Sequence, residues 1–182
     1  MTWSTVHRRG EILRAVAATA DARLDGRLPT DVPGVADTFR DELDLVAALQ
    51  LRWHTRLTGA IDRALLHQPT DLDGAIVGAW VATAEELPGL RAILDGQAER
   101  PATPEIGTAM ARAEAKEYEM LAARAGRSSY SDHRAVLAGR ALAARARAEA
   151  ESRRAAAPTL PAAHAGSAGS FLERLRAAVS AA

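Results

Sequence analysis

The sequence predicts an all-α fold: an antiparallel bundle of four to five helices with a flexible C-terminal tail. Composition is the first reason, because 43 of the 182 residues are alanine, the best helix former, while valine and isoleucine together number 14. Periodicity is the second, because apolar residues recur every three or four positions from Val35 to Leu65. We therefore expect a helical bundle domain over residues 1–154, a linker over 155–170 and a short amphipathic helix over 171–182.

The first two predicted helices have clear apolar faces. The first is expected over about residues 4–24, since Asp25-Gly26 ends it. The second is the longest; it begins near Asp31 and stops at Gln68-Pro69. A break near Arg40–Asp41 fits the same pattern, because an aspartate can start a new helix. The apolar stripe of this second helix comprises Val35, Phe39, Leu43, Val46, Leu49, Trp53, Leu57, Ile61 and Leu65.

Three further helices complete the predicted bundle. Thr70 opens the third, and Pro88-Gly89 interrupts it before a short helix or a kinked continuation. Thr103 opens the fourth, which ends at Gly126. The fifth is expected over about residues 130–154. Its C-terminal half is mostly alanine and arginine, so we expect it to be exposed and to fray, because alanine buries little apolar area.

The C-terminal segment regains a helical apolar pattern after a spacer rich in Ala, Pro, Gly and Ser. Its candidate partner-binding residues share one side of the predicted helix: Phe171, Leu172, Leu175 and Val179. Such spacing is typical of a helix that docks in an apolar groove. The groove is expected either on a protein partner or on this protein's own body. The body has a surplus of acidic residues, which complements the surplus of basic residues from His133 onward.

Composition also excludes several classes of protein. The 23 basic residues balance the 23 acidic ones, so we expect no nucleic-acid partner held by global charge. Without cysteine, the chain has no disulfide, thiolate metal site or cysteine nucleophile. An uncharged apolar run of about 18 residues, as a membrane helix needs, is missing from the sequence. We expect a cytoplasmic protein with no membrane partner.

Candidate chemistry is limited to one group of polar residues on the second and fourth predicted helices. Glu42 and Glu117 lie on or beside the apolar faces, Glu114 and Tyr118 form an i, i+4 pair, and His54 lies on a flank. Inward carboxylates from facing helices can bind a metal, as in ferritin-like bundles. That class also uses a Glu-x-x-His unit, which this sequence lacks. The favoured interpretation is that the carboxylates reach the edge of a helix or pair with arginine. We expect no cofactor.

The stretches MTWSTVHRRGEILRAV and DELDLVAALQLRWHTRL resemble small uncharacterised all-helical proteins of GC-rich actinobacteria. The resemblance implies a helical fold and carries no activity or functional residues.

Taken together, these features predict a helical interaction or scaffold protein that uses a bundle groove and the tethered tail. The alternative is a bundle that binds a small ligand or metal between its helices. A homodimer is also expected, because the long apolar stripe lies beside alanine-rich helices that cover it incompletely.

Overall fold

The computed structural model describes residues 3–67, 69–128 and 133–156. Within these ranges all regular structure is helical and no strand occurs, which confirms the predicted all-α class. The helices of the described residues are α1 Trp3–Arg23, α2 Val35–Thr38, α3 Glu42–Leu65, α4 Leu72–Glu86, α5 Pro88–Glu99, α6 Pro104–Arg124 and α7 His133–Ala156. One compact unit spans Met1–Ser152, and a second begins at Arg153.

The long second helix of the prediction is divided into α2 and α3. Phe39 has an extended backbone, with φ −111° and ψ 135°, and closes α2. Asp41 is also extended, and its side chain accepts a hydrogen bond from the Asp44 N–H at 2.7 Å. This cap satisfies one of the unpaired N–H groups at the start of α3, which is why the helix restarts at Glu42.

Prolines and short polar caps set the other boundaries. Asp71 caps α4 by accepting from the Gly74 N–H at 2.8 Å. Pro88 ends α4 and occupies the first turn of α5, where its missing N–H costs nothing. Thr103 caps α6, and Gly126 follows that helix in the left-handed conformation at φ 66°. The short helix after Pro88-Gly89 is therefore a separate element, α5.

The inner face of α3 forms the centre of the core, where it packs against α4, α5 and α6. Helix α1 packs against α5 and α2. Most of the predicted stripe is buried, but Leu43 and Leu65, which lie near the two ends of α3, are only half-buried. The largest fully buried side chains are Trp53, Trp80, Leu45, Leu49, Leu57, Ile61, Ile76, Leu90, Ile93, Leu94, Ile106 and Leu121.

Two glycines allow helices to approach unusually closely. A Cβ atom added at Gly89 would overlap the backbone of Ala20 and Asp21 in α1. The Gly89 N–H also donates to the Asp21 carboxylate at 2.8 Å, which fixes α5 against α1. In α7, a Cβ at Gly139 would overlap the backbone carbonyl of Tyr118 in α6. At these two positions a side chain is excluded by the packing itself.

The expectation that the C-terminal half of α7 is exposed is wrong for one face of the helix as far as Ala150, whereas residues 151–156 are all exposed. One face of α7 is buried, and its buried residues are Ala135, Gly139, Leu142, Ala143, Ala146 and Ala150. Small side chains on this face let α7 lie so close to α6 that the alanines facing it are buried. The short distance between the two helices thus increases the van der Waals contact of each alanine, which compensates for the small apolar area that it buries.

Replacing Gly139 by alanine tests this close approach. We expect Gly139→Ala to cost about 2–3 kcal/mol of unfolding free energy, because α6 and α7 must separate to admit the methyl group. Gly78→Ala is the matched control: Gly78 also lies in a helix, and its added Cβ meets no atom within 4 Å. That change should be neutral or stabilise the helix by up to about 1 kcal/mol. Equal urea midpoints for the two variants would contradict the packing.

Candidate functional site

The predicted site residues separate into an interior group and one surface residue. Glu117 is buried, with 3% of its surface exposed, and Tyr118 is buried beside it on α6. Glu114 lies one turn before Tyr118 and bonds to it, whereas His54 is half-buried on α3. Glu42, which the alternative interpretation made a ligand on or beside the apolar face of its helix, is instead exposed in the first turn of α3.

Glu42 is exposed because a carboxylate is stabilised by solvent and by the positive end of a helix at this position. Along α3 it lies eleven residues from Trp53, which Glu117 contacts, or about 16 Å of helix. Glu42 and Glu117 therefore do not face each other as a pair of ligands. Among the described residues, no group of three or more His, Asp or Glu side chains is placed to hold a metal ion.

The Glu117 carboxylate joins three helices inside the core. Its Oε2 atom accepts the indole N–H of Trp53 on α3 at 2.7 Å. Its Oε1 atom accepts the indole N–H of Trp80 on α4 at 2.9 Å. The two indole rings meet edge to face, with centroids 5.4 Å apart and an interplanar angle of 74°. Each indole N–H thus has an acceptor and each carboxylate oxygen has a donor within the buried core.

Two arginines supply positive charge around this carboxylate. The Arg91 guanidinium is 4.7 Å from the Trp53 ring centroid, and Arg147 lies 5.8 Å from that of Trp80. These distances are within the range of cation–π attraction. Arg91 is only 7% exposed, and it also forms two hydrogen bonds to Asp95, at 2.7 Å and 3.1 Å. The interior cluster is therefore a network of paired charges and aromatic rings.

Tyr118 extends the interior cluster towards α7. Its hydroxyl donates to Glu114 at 2.5 Å, and Arg147 donates to both groups, at 3.5 Å to the hydroxyl and 3.3 Å to the carboxylate. Burial and the hydrogen bond to Glu114 raise the pKa of Tyr118 above its ordinary value. The phenol therefore stays protonated and donates within α6, whereas Arg147 is the donor that connects α7 to α6.

The interior cluster leaves very little free space. The cavity among its side chains has a volume of about 10 Å³, close to that of a single water molecule. Gln50 borders this cavity, and its Oε1 atom is buried without a protein hydrogen-bond partner. A cavity of this size does not accept an organic ligand without rearrangement. The arrangement is suited to holding α3, α4, α5, α6 and α7 in register.

An open groove of about 840 Å³ on the surface has a different character. It lies between α1 and α3 and reaches the junction of α4 and α5 at Glu86 and Leu87. We call this the α1–α3 groove. Its described lining residues are Arg9, Gly10, Leu13, Asp44, Ala47, Ala48, Leu51, Arg52, Thr55, Arg56, Gly59, Arg63, Glu86 and Leu87.

Ion pairs mark two positions along the groove. Arg9 on α1 donates to both oxygens of Asp44 on α3, at 2.7 Å and 3.2 Å. These bonds hold the pKa of Asp44 below its ordinary value. Further along α3, Arg56 pairs with Glu86 at 2.5 Å and lowers the pKa of that carboxyl in the same way. Both carboxyl groups are therefore ionised at neutral pH, and each already forms an ion pair with an arginine.

Sequence reasoning missed two features of these regions. Arg91 lies four residues after Leu87 and three before Leu94, inside an apolar stripe, and that position signals an inward charge. The α1–α3 groove had a weaker signal, because Leu51 falls outside the stripe of α3 and a single exposed leucine is ordinary. Which helices leave a gap between them is decided by packing that no single helix encodes.

No protein-family model, curated protein or solved structure matches this chain. Among the described helices, none combines the length and the apolar character needed to cross a membrane.

Replacing Glu117 tests the interior cluster. Glu117→Gln keeps the shape but turns an NH₂ group towards one of the two indole N–H groups, which then lacks an acceptor. We expect a loss of about 1–3 kcal/mol of unfolding free energy. Glu114→Gln is the control, because Glu114 is partly exposed and water can replace its lost bonds. A Glu117→Gln variant as stable as Glu114→Gln in urea melts would show that the indole contacts are not stabilising.

Proposed function

We propose that this protein is a helical interaction protein that binds one helix of a protein partner in the α1–α3 groove. The observation that carries the proposal is the groove itself, an open volume of about 840 Å³ with Leu51 in its lining. Leu51 is 66% exposed although it lies near the middle of α3. Binding of an apolar helix face would remove this side chain from water.

The dimensions of the groove support a helix as the occupant. Its wall on α3 extends from Asp44 to Arg63, a rise of about 28 Å. Between these residues the small and apolar members Ala48, Leu51, Thr55 and Gly59 recur every three or four positions. This spacing presents one continuous strip along α3, as grooves that accept amphipathic helices do.

Two glycines on the groove wall leave room for a closely packed backbone. Gly10 in α1 and Gly59 in α3 both lie within helices, where glycine costs up to about 1 kcal/mol relative to alanine. Neither is required by the packing of this chain. Added Cβ atoms would meet only the flexible ends of Arg14 at 3.8 Å and of Arg63 at 3.5 Å. A large side chain at Gly59 would therefore fill the groove without disturbing the core.

Several earlier expectations remain predictions. The tail residues Phe171, Leu172, Leu175 and Val179 lie outside the described residues, so docking of the tail on the groove or on a partner is untested. The homodimer, the cytoplasmic location and the antiparallel order of the bundle also remain predictions. For the ligand-or-metal alternative, the interior cluster offers one water-sized cavity and no inward Glu42. The groove is the better-supported site.

A selection experiment tests the proposed function. A displayed library of helix-forming peptides, each about 20 residues long, is selected on the full chain. We expect peptides whose binding is abolished by Gly59→Leu and retained by Gly78→Leu, since Gly78 is a helical glycine with open space around it. Circular dichroism checks that both variants keep their helix content.

A second pair of variants covers the case in which Gly59→Leu does not fold. Leu51→Arg places a charge in the groove, whereas Leu66→Arg changes another exposed leucine, 77% accessible and outside the groove lining. Binding lost in Leu51→Arg alone supports the proposal. Failure to select any peptide that is sensitive to these groove variants would overturn it.

A further inference from the structure

The α1–α3 groove has a surplus of positive charge. Its described lining residues include four arginines and only two carboxylates. At one position Arg9 is fully engaged: it pairs with Asp44, donates to the Thr38 carbonyl at 3.2 Å and lies 4.3 Å from the Phe39 ring centroid. The surplus is therefore on the α3 side of the groove, away from Arg9.

Three arginines share a single carboxylate on that side. Arg56 forms the direct ion pair with Glu86, at 2.5 Å. Arg52 and Arg63 lie near enough to lower the pKa of Glu86 further, but neither forms an ion pair with any residue in the described part of the chain. Two guanidinium groups on the α3 wall of the groove thus have no ion-pair partner among the described residues.

We infer that the partner helix bound in the α1–α3 groove is acidic, with carboxylates placed to meet Arg52 and Arg63 on either side of a small apolar face. This inference depends on the proposed function, since it names the chemistry of the helix that occupies the groove. It follows from complementarity: a carboxylate opposite each guanidinium forms a charge-assisted hydrogen bond, whereas a lysine there is repelled.

The spacing of the two arginines predicts the spacing of the acids. Arg52 and Arg63 are eleven residues apart, which is three helical turns and about 16 Å along α3. A partner helix aligned with α3, in either direction, has the same rise per residue. Its two carboxylates are therefore expected about eleven residues apart, with small apolar residues between them facing Thr55 and Gly59.

The same charges disfavour two other occupants. The tail segment 171–182 carries Arg174 and Arg176 against Glu173, so it brings further positive charge to a positive wall. A nucleic acid would bring phosphates, but the groove also contains Leu13, Leu51 and two carboxylates. Those residues suit a helix with an apolar face and not a phosphate backbone. An acidic amphipathic helix satisfies both the apolar and the basic lining.

The experiment extends the peptide selection to a charge-reversed protein. The library is selected in parallel on the wild-type chain, on Arg52→Glu/Arg63→Glu and on the control Arg100→Glu/Arg112→Glu. The control has the same change in net charge at two exposed residues outside the groove lining. Affinities are measured by fluorescence anisotropy for the best wild-type peptide, for its copy with the acids changed to glutamine, and for a synthetic peptide of residues 167–182.

We expect wild-type peptides to carry an acidic pair about eleven residues apart. Their affinity should fall about tenfold on Arg52→Glu/Arg63→Glu and stay unchanged on the control, with basic peptides selected instead on the charge-reversed protein. A double-mutant cycle uses a further variant, Arg52→Gln/Arg63→Gln. Changing the acidic residues of the peptide to glutamine should weaken its binding to the wild-type protein but not to this variant, because the partners of the acidic residues are then already absent.

Other outcomes would overturn the inference and are distinguishable from failure of the proposed function. Peptides that need the groove but show no acidic preference would leave the groove as a helix-binding site and contradict its acidic partner. Tighter binding of the 167–182 peptide than of any acidic peptide would make the tail the occupant. Binding of a labelled 16-base-pair DNA duplex that depends on Arg52 and Arg63 would make the groove a polyanion site. Absence of all groove-dependent peptides would reject the proposed function itself.

Discussion

The rest of the structure depends on one buried carboxylate. Glu117 accepts the indole N–H groups of Trp53 and Trp80, and so connects α6 to α3 and α4 at the centre of the core. Burying a charge is costly unless it is hydrogen-bonded and has opposite charge nearby. Here both oxygens have donors, Arg91 lies over the faces of both rings, and Arg147 lies over the face of Trp80. The network therefore favours one arrangement of five helices over other packings of an alanine-rich interior.

The same constraint explains why the groove lies where it does. Trp53 is fully buried, so the face of α3 that contains it is fixed towards the core. Leu51 lies two residues earlier, about 200° around the helix, and must therefore face away from the Glu117 contact. Arg52 and Gly59 line the same groove as Leu51. The internal hydrogen bonds thus determine which residues α3 offers to a partner, even though they take no part in binding.

Prediction from sequence succeeded where a single helix contains the signal. The buried stripe through Trp53 and Ile61 follows from spacing, and the structure agrees. Spacing also places Glu117 on or beside an apolar face, although its partners are two indole N–H groups and not an arginine. Capping chemistry marks Asp41 as one possible start of a new helix, and it is the residue that caps α3. Prediction from sequence failed where the outcome depends on the distance between helices or on the position of a residue within its helix. Glu42 is exposed because it lies in the first turn of α3. One face of α7 is buried because Gly139 permits close contact with α6, which the alanine content of the helix does not reveal. The groove likewise depends on how α1 and α3 are positioned by other elements.

The most direct test of this account is solvent exchange of the two indole N–H protons, followed by NMR and assigned with Trp53→Phe and Trp80→Phe variants. If both protons are held by Glu117, they should exchange as slowly as amides of the buried core, because exchange then requires the helices to separate. Both resonances should also shift together in Glu117→Gln. Rapid exchange of either proton in the wild type, or resonances that do not move in the variant, would contradict the role given to Glu117.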